Sequence, residues 1–373
     1  MTINKDLYYK INEALNEFNN LKIADQIDFE KLYLYSIITH STAIEGSTIS
    51  EIENTLMFDE GIVPGGHTVI AQMMNLDLKK AYDYINTIVN QKPMITVDFL
   101  KHLTSLIMKN TGMNYKTALG TFDTSAGDIR LVNVSAGRGG KSYMGYQKVP
   151  QKLEDFCKWL NIERQKNYSD AANIYAVSFE AHYRLVSIHP WTDGNGRISR
   201  LLMNMIQMEN GILPSVLKKE NKTAYEKSLA NSQETDDSSI FINFMMKSTL
   251  DYIENCIIEY KNSIQDEKKE LSLDGLRKAI ERFEENGSCG ICGDWKVERN
   301  LSSSSSLWSL SYAEEPIALC VSKPEHDYIT RLDENISDKS FTEICEIARS
   351  VFPNCKMSLD EQRLIEQRKQ EQK

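Results

Sequence analysis

Proline and glycine are sparse in this chain, 8 and 18 of 373 residues, so little interrupts a helix and long helices are the expectation. Cysteine is sparse too. Seven at scattered spacings, an odd number, exclude a disulfide framework and read as reduced thiols. Basic residues are outnumbered, 43 Lys and Arg against 53 Asp and Glu, for a net charge of −10. That balance argues against a general nucleic-acid or anionic-membrane binder, while leaving room for a local basic patch. No uncharged apolar run approaches the ~18 residues of a membrane span. The opening residues, Met1-Thr2-Ile3-Asn4-Lys5-Asp6-Leu7, lack the basic-then-apolar order of a secretory signal. A cytosolic protein of two or three domains is the expectation at this length.

What is present is helical periodicity, in three stretches. Residues 1–95 carry apolar positions at helical spacing, Leu7, Ile11, Ala14, Leu15 and Phe18, then Leu32, Tyr35 and Ile38. The second helix stops at Gly46. Thr48-Ile49-Ser50-Glu51 has the form of a capping box for the next, and residues 69–89 form another after a glycine-rich loop. Residues 96–262 open with an amphipathic helix over 97–108. Asp128-Ile129-Arg130-Leu131-Val132-Asn133-Val134 then alternates in part as a strand should. With a turn at Gly137, Gly139 and Gly140 and a return over 143–149, this predicts a β-hairpin. Helices follow from Pro150, from Ala171 to Ile188, and through the apolar run Leu201, Leu202, Met203, Met205, Ile206 and Met208. Residues 263–373 read as a small α+β unit. It follows a charged connection at 265–270 and has strands near 295–298, 307–312 and 317–322, a flexible serine run at 302–306, a helix over 341–351 and a charged, frayed end.

The chemistry concentrates in His189-Pro190-Trp191-Thr192-Asp193-Gly194-Asn195-Gly196-Arg197-Ile198-Ser199-Arg200. Glycines before a helix leave unpaired backbone N–H groups at its positive end, a natural anion site. Arg197 and Arg200, three positions apart, project from one helical face, and each guanidinium can grip two phosphate oxygens. Asp193 suits a Mg²⁺ bridging phosphates, and His189 suits taking a proton from a hydroxyl. Upstream, Ser41 and Glu45 share one face of a last helical turn. Glu45 reads either as a solvated carboxylate or, since it opposes the helix dipole, as awaiting an external cation.

Other patterns carry less. Ser135-Ala136-Gly137-Arg138-Gly139-Gly140-Lys141-Ser142 resembles a phosphate-binding P-loop, but Ser135 replaces its first glycine and no apolar helix follows. Cys289 and Cys292, with Cys320, Cys345 and Cys355 as further ligands, form a weak zinc pattern because no second pair accompanies them. His40, His67, His102 and His326 have no neighbouring constellation, and His182 reads as a packing residue.

The twelve-residue stretch resembles the Fic-domain signature H-P-F-x-D-G-N-G-R-x-x-R, with Trp191 where that family has Phe. The resemblance covers residues 96–262. It implies a mainly α fold: a Fic-type helical core with one β-hairpin flap, an N-terminal helical region carrying an inhibitory helix over 1–95, and the small C-terminal α+β unit. It implies transfer of AMP from ATP, with Mg²⁺, to a Tyr, Thr or Ser hydroxyl of a target protein or of the chain itself, releasing pyrophosphate. His189 would be the base and Asp193 would hold Mg²⁺. Gly194, Asn195 and Gly196 would form the anion hole, Arg197 and Arg200 would bind phosphates, and Tyr225 and Asn231 resemble residues near the adenine and ribose. Gly137, Gly139 and Gly140 would belong to a target-docking flap. Ser41-Thr42-Ala43-Ile44-Glu45-Gly46 matches the family's inhibitory pattern [ST]-x-x-x-E-[GN], which implies that Glu45 pairs with Arg200 and blocks productive ATP docking. Two alternatives accompany this expectation: an enzyme removing AMP with Glu45 positioning water, and a nucleotide-sensing regulatory protein. A homodimer is compatible with either. A membrane is not an expected partner, and nucleic acid has no basic patch to meet.

Overall fold

A computed structural model describes residues 4–135, 142–168, 170–302, 305–312, 315–322, 327–332 and 355–357. The chain divides into two compact units, Met1–Ile258 and Glu259–Lys373. Among the described residues no helix is long and apolar enough to cross a membrane.

The first unit is a helical assembly whose starts are set by side-chain caps. Helix α1 (Lys5–Asn20) is capped by Asn4, and α2 spans Phe29–Ile44. Helix α3 (Glu51–Thr55) starts from a capping box two residues later than the sequence suggests: Ser50 and Glu53 exchange the two bonds. Thr48 turns instead to the His67 ring, 2.7 Å away. Thr68 and Thr96 cap α4 (Val69–Ile88) and α5 (Val97–Ile107). Helix α6 spans Val149–Arg164, and Asp170 caps α7 (Ala171–Ile188). Helices α8 (Asn195–Glu209) and α9 (Lys222–Thr235) and the first part of α10 (Ser239–Asn286), whose remainder belongs to the second unit, complete the series.

Helix α8 is the hub. Its apolar residues Ile198, Leu201, Leu202, Met205 and Ile206 are buried with Tyr82, Leu103, Leu185 and Trp191 in one core cluster. A helix enclosed on every side must satisfy its polar residues internally. Asn204 accordingly donates to Tyr82 Oη (2.9 Å), Gln207 to Ser178 Oγ (2.9 Å) and Ser215 Oγ (3.0 Å), and Glu209 pairs with Arg164.

Two short strands were not foreseen: β1 (Asn114–Thr117) pairs antiparallel with β2 (Gly120–Asp123). The expected hairpin after residue 128 is narrower than predicted. The chain folds back through one bridge, Ser135 with Ser142, and a Tyr143 N–H to Val134 carbonyl bond of 3.0 Å. Residues 128–134 form no strand, and Tyr146–Lys148 is a tight turn into α6. Arg130 explains the difference. It is 1% exposed and donates from Nε to the His189 carbonyl (2.8 Å) and from its two terminal nitrogens to the Val132 and Met144 carbonyls. The segment is pinned by one guanidinium rather than by a ladder. Gly137, Gly139 and Gly140 lie outside the described residues.

In the second unit six strands, β3 (Cys289–Cys292), β4 (Trp295–Ser302), β5 (Ser305–Tyr312), β6 (Glu315–Ser322), β7 (Asp327–Leu332) and β8 (Cys355–Met357), form a sheet in chain order. Neighbours are antiparallel except β7 and β8. The charged run at 265–270, expected as a connection, lies within α10. The serine run, expected as a flexible loop, ends β4 and begins β5, with Ser302 opposite Ser305. Leu276, Ala279 and Phe283 of α10 are buried, as are Trp295, Val297 and Leu310. Gly290 is required there, because a Cβ would lie 1.9 Å from the Ala279 carbonyl oxygen. Cys289 and Cys292 stand opposite Glu298 and Trp295. No cluster of three or more metal-ligating side chains occurs among the described residues. The helix expected at 341–351, the charged end, His326 and Cys345 lie outside them.

Candidate active site

Helix α7 ends at Ile188, and His189 turns the chain in the left-handed region, φ 53°. Trp191 then plunges into the core, 0% exposed, its indole N–H donating to the Gly127 carbonyl at 3.0 Å. Asn195 staples the loop from the other end. Its Oδ1 accepts from Trp191 N (3.1 Å) and its Nδ2 donates to Trp191 O (2.9 Å). Gly194, φ +81°, carries the chain past Met108, whose sulfur would lie 2.7 Å from a Cβ. The loop therefore delivers the first turn of α8, where Asn195, Gly196 and Arg197 have no intrahelical acceptor for their N–H groups. That turn is where the sequence predicts an anion site, and there the Asn195 side chain is already engaged, leaving only its backbone N–H.

A carboxylate of the same chain stands over this turn. A Cβ on Gly196 would fall 2.2 Å from Glu45 Oε1 and 3.0 Å from Arg200 Nη1. Arg200 Nη2 donates to Glu45 Oε1 at 2.7 Å and to the Ser41 carbonyl at 2.9 Å, while Nε donates to Ser41 Oγ at 2.8 Å. Burial alone would push the Glu45 carboxyl up. The charge and hydrogen bond of Arg200, aided by Arg197 and Lys222, more than offset that and hold Glu45 below the ordinary carboxylate range. Arg200 Nη1 is buried without a hydrogen-bond partner. Gly46, φ +103°, ends α2 just beyond.

The turn that presents Ser41 and Glu45 is itself clamped. Thr42 Oγ1 donates to Asn75 Oδ1 (2.7 Å), Asn54 Nδ2 to the same oxygen (2.9 Å) and to Thr39 Oγ1 (2.7 Å), and Asn75 Nδ2 to Ser47 Oγ (2.9 Å). All five residues are buried. Sequence reasoning missed this network, although two asparagines inside apolar helical periodicity are a usable signal.

The remaining site residues separate. Arg197 is 1% exposed and points to the end of α5, with Nη1 3.4 Å from the Ile107 carbonyl and Nη2 3.2 Å from Met108 Sδ. It also pairs with Asp193 Oδ2 at 3.4 Å. The two arginines thus share a helical face but reach to different partners. Asp193 is 61% exposed, with Oδ1 accepting from Gly194 N at 2.6 Å. Tyr225 is the exception and stays beside Arg200: burial pushes its pKa up to about 12 against the opposing charge of Arg200, and its buried hydroxyl lies 3.1 Å from His182 Nε2. Asn231 is exposed on α9.

His189 is covered by Tyr143, whose ring stacks on the imidazole at 3.6 Å between centroids and 11° between planes. Burial lowers the His189 pKa to about 4, against a partial rise from the Val186 carbonyl. The ring is therefore neutral near pH 7 and able to accept a proton. Tyr143 and Arg130 carried no sequence signal. His40 and His67, read as isolated, are each paired with a carboxylate, Glu51 at 3.1 Å and Glu53 at 2.9 Å.

Residues 94–207 match the Fic/DOC family. The chain carries a Fic domain. It is 28% identical over 267 residues to protein adenylyltransferase fic-1 of Caenorhabditis elegans, covering 70% of this chain and 49% of the relative. It is 32% identical over 213 residues to protein adenylyltransferase Fic of Drosophila grimshawi, covering 57% and 40%. The chain thus spans about half the length, or less, of these curated relatives. A solved structure of Fic-1 from C. elegans superposes with a TM-score of 0.57 at 25% identity, covering 69% of this chain and 73% of that one. A Fic-domain signaling protein of Bacteroides thetaiotaomicron shares the fold, with a TM-score of 0.57 at 19% identity. The helical Fic fold expected from the signature is the one observed.

Proposed function

We propose that the chain is a protein adenylyltransferase held in check by its own Glu45. The observation that carries this reading is the Glu45 carboxylate over Gly196, bound to Arg200. An anion already fills the place where a phosphate would meet both the helix terminus and the guanidinium. The names of the curated relatives supply the reaction class.

In the released state, the hydroxyl oxygen of a target Tyr, Thr or Ser bonds to the α-phosphorus of ATP as its bond to the β-phosphate oxygen breaks, and pyrophosphate leaves. His189 takes the hydroxyl proton. Backbone N–H groups of the first turn of α8, with Arg200, hold phosphate oxygens and stabilise the charge developing there. Arg197 acts from beneath, fixing Asp193 and the end of α5. Asp193, an exposed carboxylate beside this terminus, fits a Mg²⁺ bound mainly through phosphates and water; that ion would neutralise phosphate charge. The chain's own hydroxyls are a second class of acceptor. We place the catalytic unit in residues 96–262 and the inhibitory segment in 1–95.

Labelled ATP supplied to the wild type, Glu45→Gly and His189→Ala proteins tests this reading. Glu45→Gly should label itself far more than wild type, and His189→Ala combined with Glu45→Gly should not label. Equal labelling of wild type and Glu45→Gly removes the inhibitory role. The 28% exposure of the Glu45 side chain also lets water reach it, which favours a second reading, hydrolytic removal of AMP. Loss of removal from a modified target in Glu45→Gly would identify that case.

A further inference from the structure

A cavity of about 510 Å³ opens beside the stacked pair His189 and Tyr143, lined by their chain neighbours Ile188 and Met144. It lies between α6 and α7 and is bounded at one end by Asp236 and Ser238. Its volume falls in the range of about 300–1,000 Å³ typical of ligand sites. Phe156, Ile188 and Met144 supply apolar wall; the charged groups are Lys152, Asp155, Glu180, Arg184 and Asp236.

The charges are unevenly used. Lys152 faces Asp155 at 3.8 Å, and Arg184 donates from Nε to Glu180 Oε1 at 2.6 Å. Arg184 also lies over the Trp159 ring, 4.2 Å from its centroid. Arg184 is therefore committed, while Lys152 is a half-exposed side chain at the cavity edge. Glu180 is 6% exposed, and its second oxygen, Oε2, is buried with no hydrogen-bond partner. Asp236 makes no ion pair among the described residues. A buried carboxylate oxygen without a donor is costly, and acids outnumber bases three to two in the lining. The occupant that satisfies these groups brings a positive charge on an apolar stem.

We propose that this cavity receives a lysine or arginine side chain of the protein substrate, flanking the hydroxyl that is modified. The stem packs on Phe156, Ile188 and Met144, while the cation meets Asp236, with the negative charge of buried Glu180 behind the wall. Position supports a substrate residue rather than an independent ligand, because the wall is continuous in sequence with the imidazole that the target hydroxyl must reach. The inference rests on the transferase reading, and its test separates the two.

Glu45→Gly protein is given labelled ATP and a set of peptides, each with one Tyr, Thr or Ser acceptor and Lys, Ala or Glu at successive flanking positions. One flanking position should show kcat/KM for Lys higher than for Ala by roughly tenfold, the scale of a hydrogen bond to a charged group. Asp236→Asn should shrink that Lys-to-Ala ratio, and asparagine tolerates the left-handed φ of 54° found there. Asp236→Lys should turn the preference toward Glu, a reversal that mere structural damage would not produce. A flat peptide profile, or a Lys preference unchanged in both variants, overturns the proposal. So does a change in KM for ATP with no change in peptide preference. Self-labelling of Glu45→Gly without peptide reads the transferase separately: its absence sinks that reading, while its presence with a flat profile sinks only this one.

Discussion

Arg200 and Glu45 meet at 2.7 Å across 155 residues of chain, and the carboxylate ends over the one α8 residue, Gly196, that has no side chain to exclude it. The contact joins a helix C-terminus carrying the anion to a helix N-terminus that attracts one. Opposing the α2 dipole is unfavourable for Glu45 in isolation, and the charge of Arg200 reverses that balance.

Glu45→Gly should therefore bind ATP more tightly as well as label faster. A ligand that binds only the folded state stabilises it by about 2.7 kcal/mol at a hundredfold excess over Kd. The melting temperature of Glu45→Gly should rise by several degrees with ATP and Mg²⁺, and that of wild type by much less. Equal shifts in the two proteins would show that Glu45 does not compete with phosphate.

Ser41→Ala isolates the other half of the grip. Arg200 Nε would lose its acceptor inside the fold, at a cost of about 1.5–3 kcal/mol for a bond to a charged group. Labelling should fall between wild type and Glu45→Gly, with a lower denaturation midpoint. Wild-type stability combined with full release would contradict the bonding seen at Ser41.

The pH dependence follows from His189. Its pKa of about 4 lies below the ordinary 6.5, so between those values the unfolded chain binds a proton that the folded chain refuses. Stability therefore rises with pH across that window and is lost as pH falls from about 6.5 toward 4, by on the order of 3 kcal/mol. His189→Asn should flatten the slope in urea titrations. Glu45 acts at lower pH: its depressed pKa keeps the ion pair above the ordinary carboxylate range and loses it as pH falls through the folded value. In Glu45→Gly the acid limb of kcat/KM should lie well below pH 6.5, and Tyr143→Ala, by uncovering the ring, should move it upward. A limb at 6.5 indifferent to Tyr143 would remove the stacked imidazole from the chemistry.

Much of this was legible because it is periodic or contiguous. Helix α7 shows as an apolar helix over 171–188 delivering the chain into His189, and the twelve-residue stretch declares, through its glycines, a helix start with exposed N–H groups. Glu45 was legible only through the inhibitory pattern, since a lone Glu at a helix end is usually solvated. Strands β1 and β2, four residues each, are too short to alternate visibly. The spacing of Arg197 and Arg200 gave their helical face correctly but not the reach of two long side chains, one of which turns under the loop to the end of α5. Asn54 and Asn75 find their partners only in three dimensions.

Arg130 was the least legible residue, and it yields the sharpest structural prediction. It is buried, its pKa is lowered by that burial, and three carbonyls from three segments take its N–H groups while its own backbone N–H donates to the Pro190 carbonyl at 3.1 Å. Among the described residues carbonyl dipoles hold the cation, and meeting all three requires the fixed fork of a guanidinium. Lysine keeps the charge but reaches fewer carbonyls, so Arg130→Lys leaves buried acceptors unpaired, at about 1–3 kcal/mol each. The segment bearing Tyr143 and the His189 turn share this anchor, so the stack over the imidazole should loosen with it. Arg130→Lys in the Glu45→Gly background should lower the melting temperature, raise the His189 pKa toward 6.5 by NMR titration and reduce kcat more than it alters KM for ATP. A destabilised protein with an unchanged His189 titration would confine Arg130 to folding and separate it from the site.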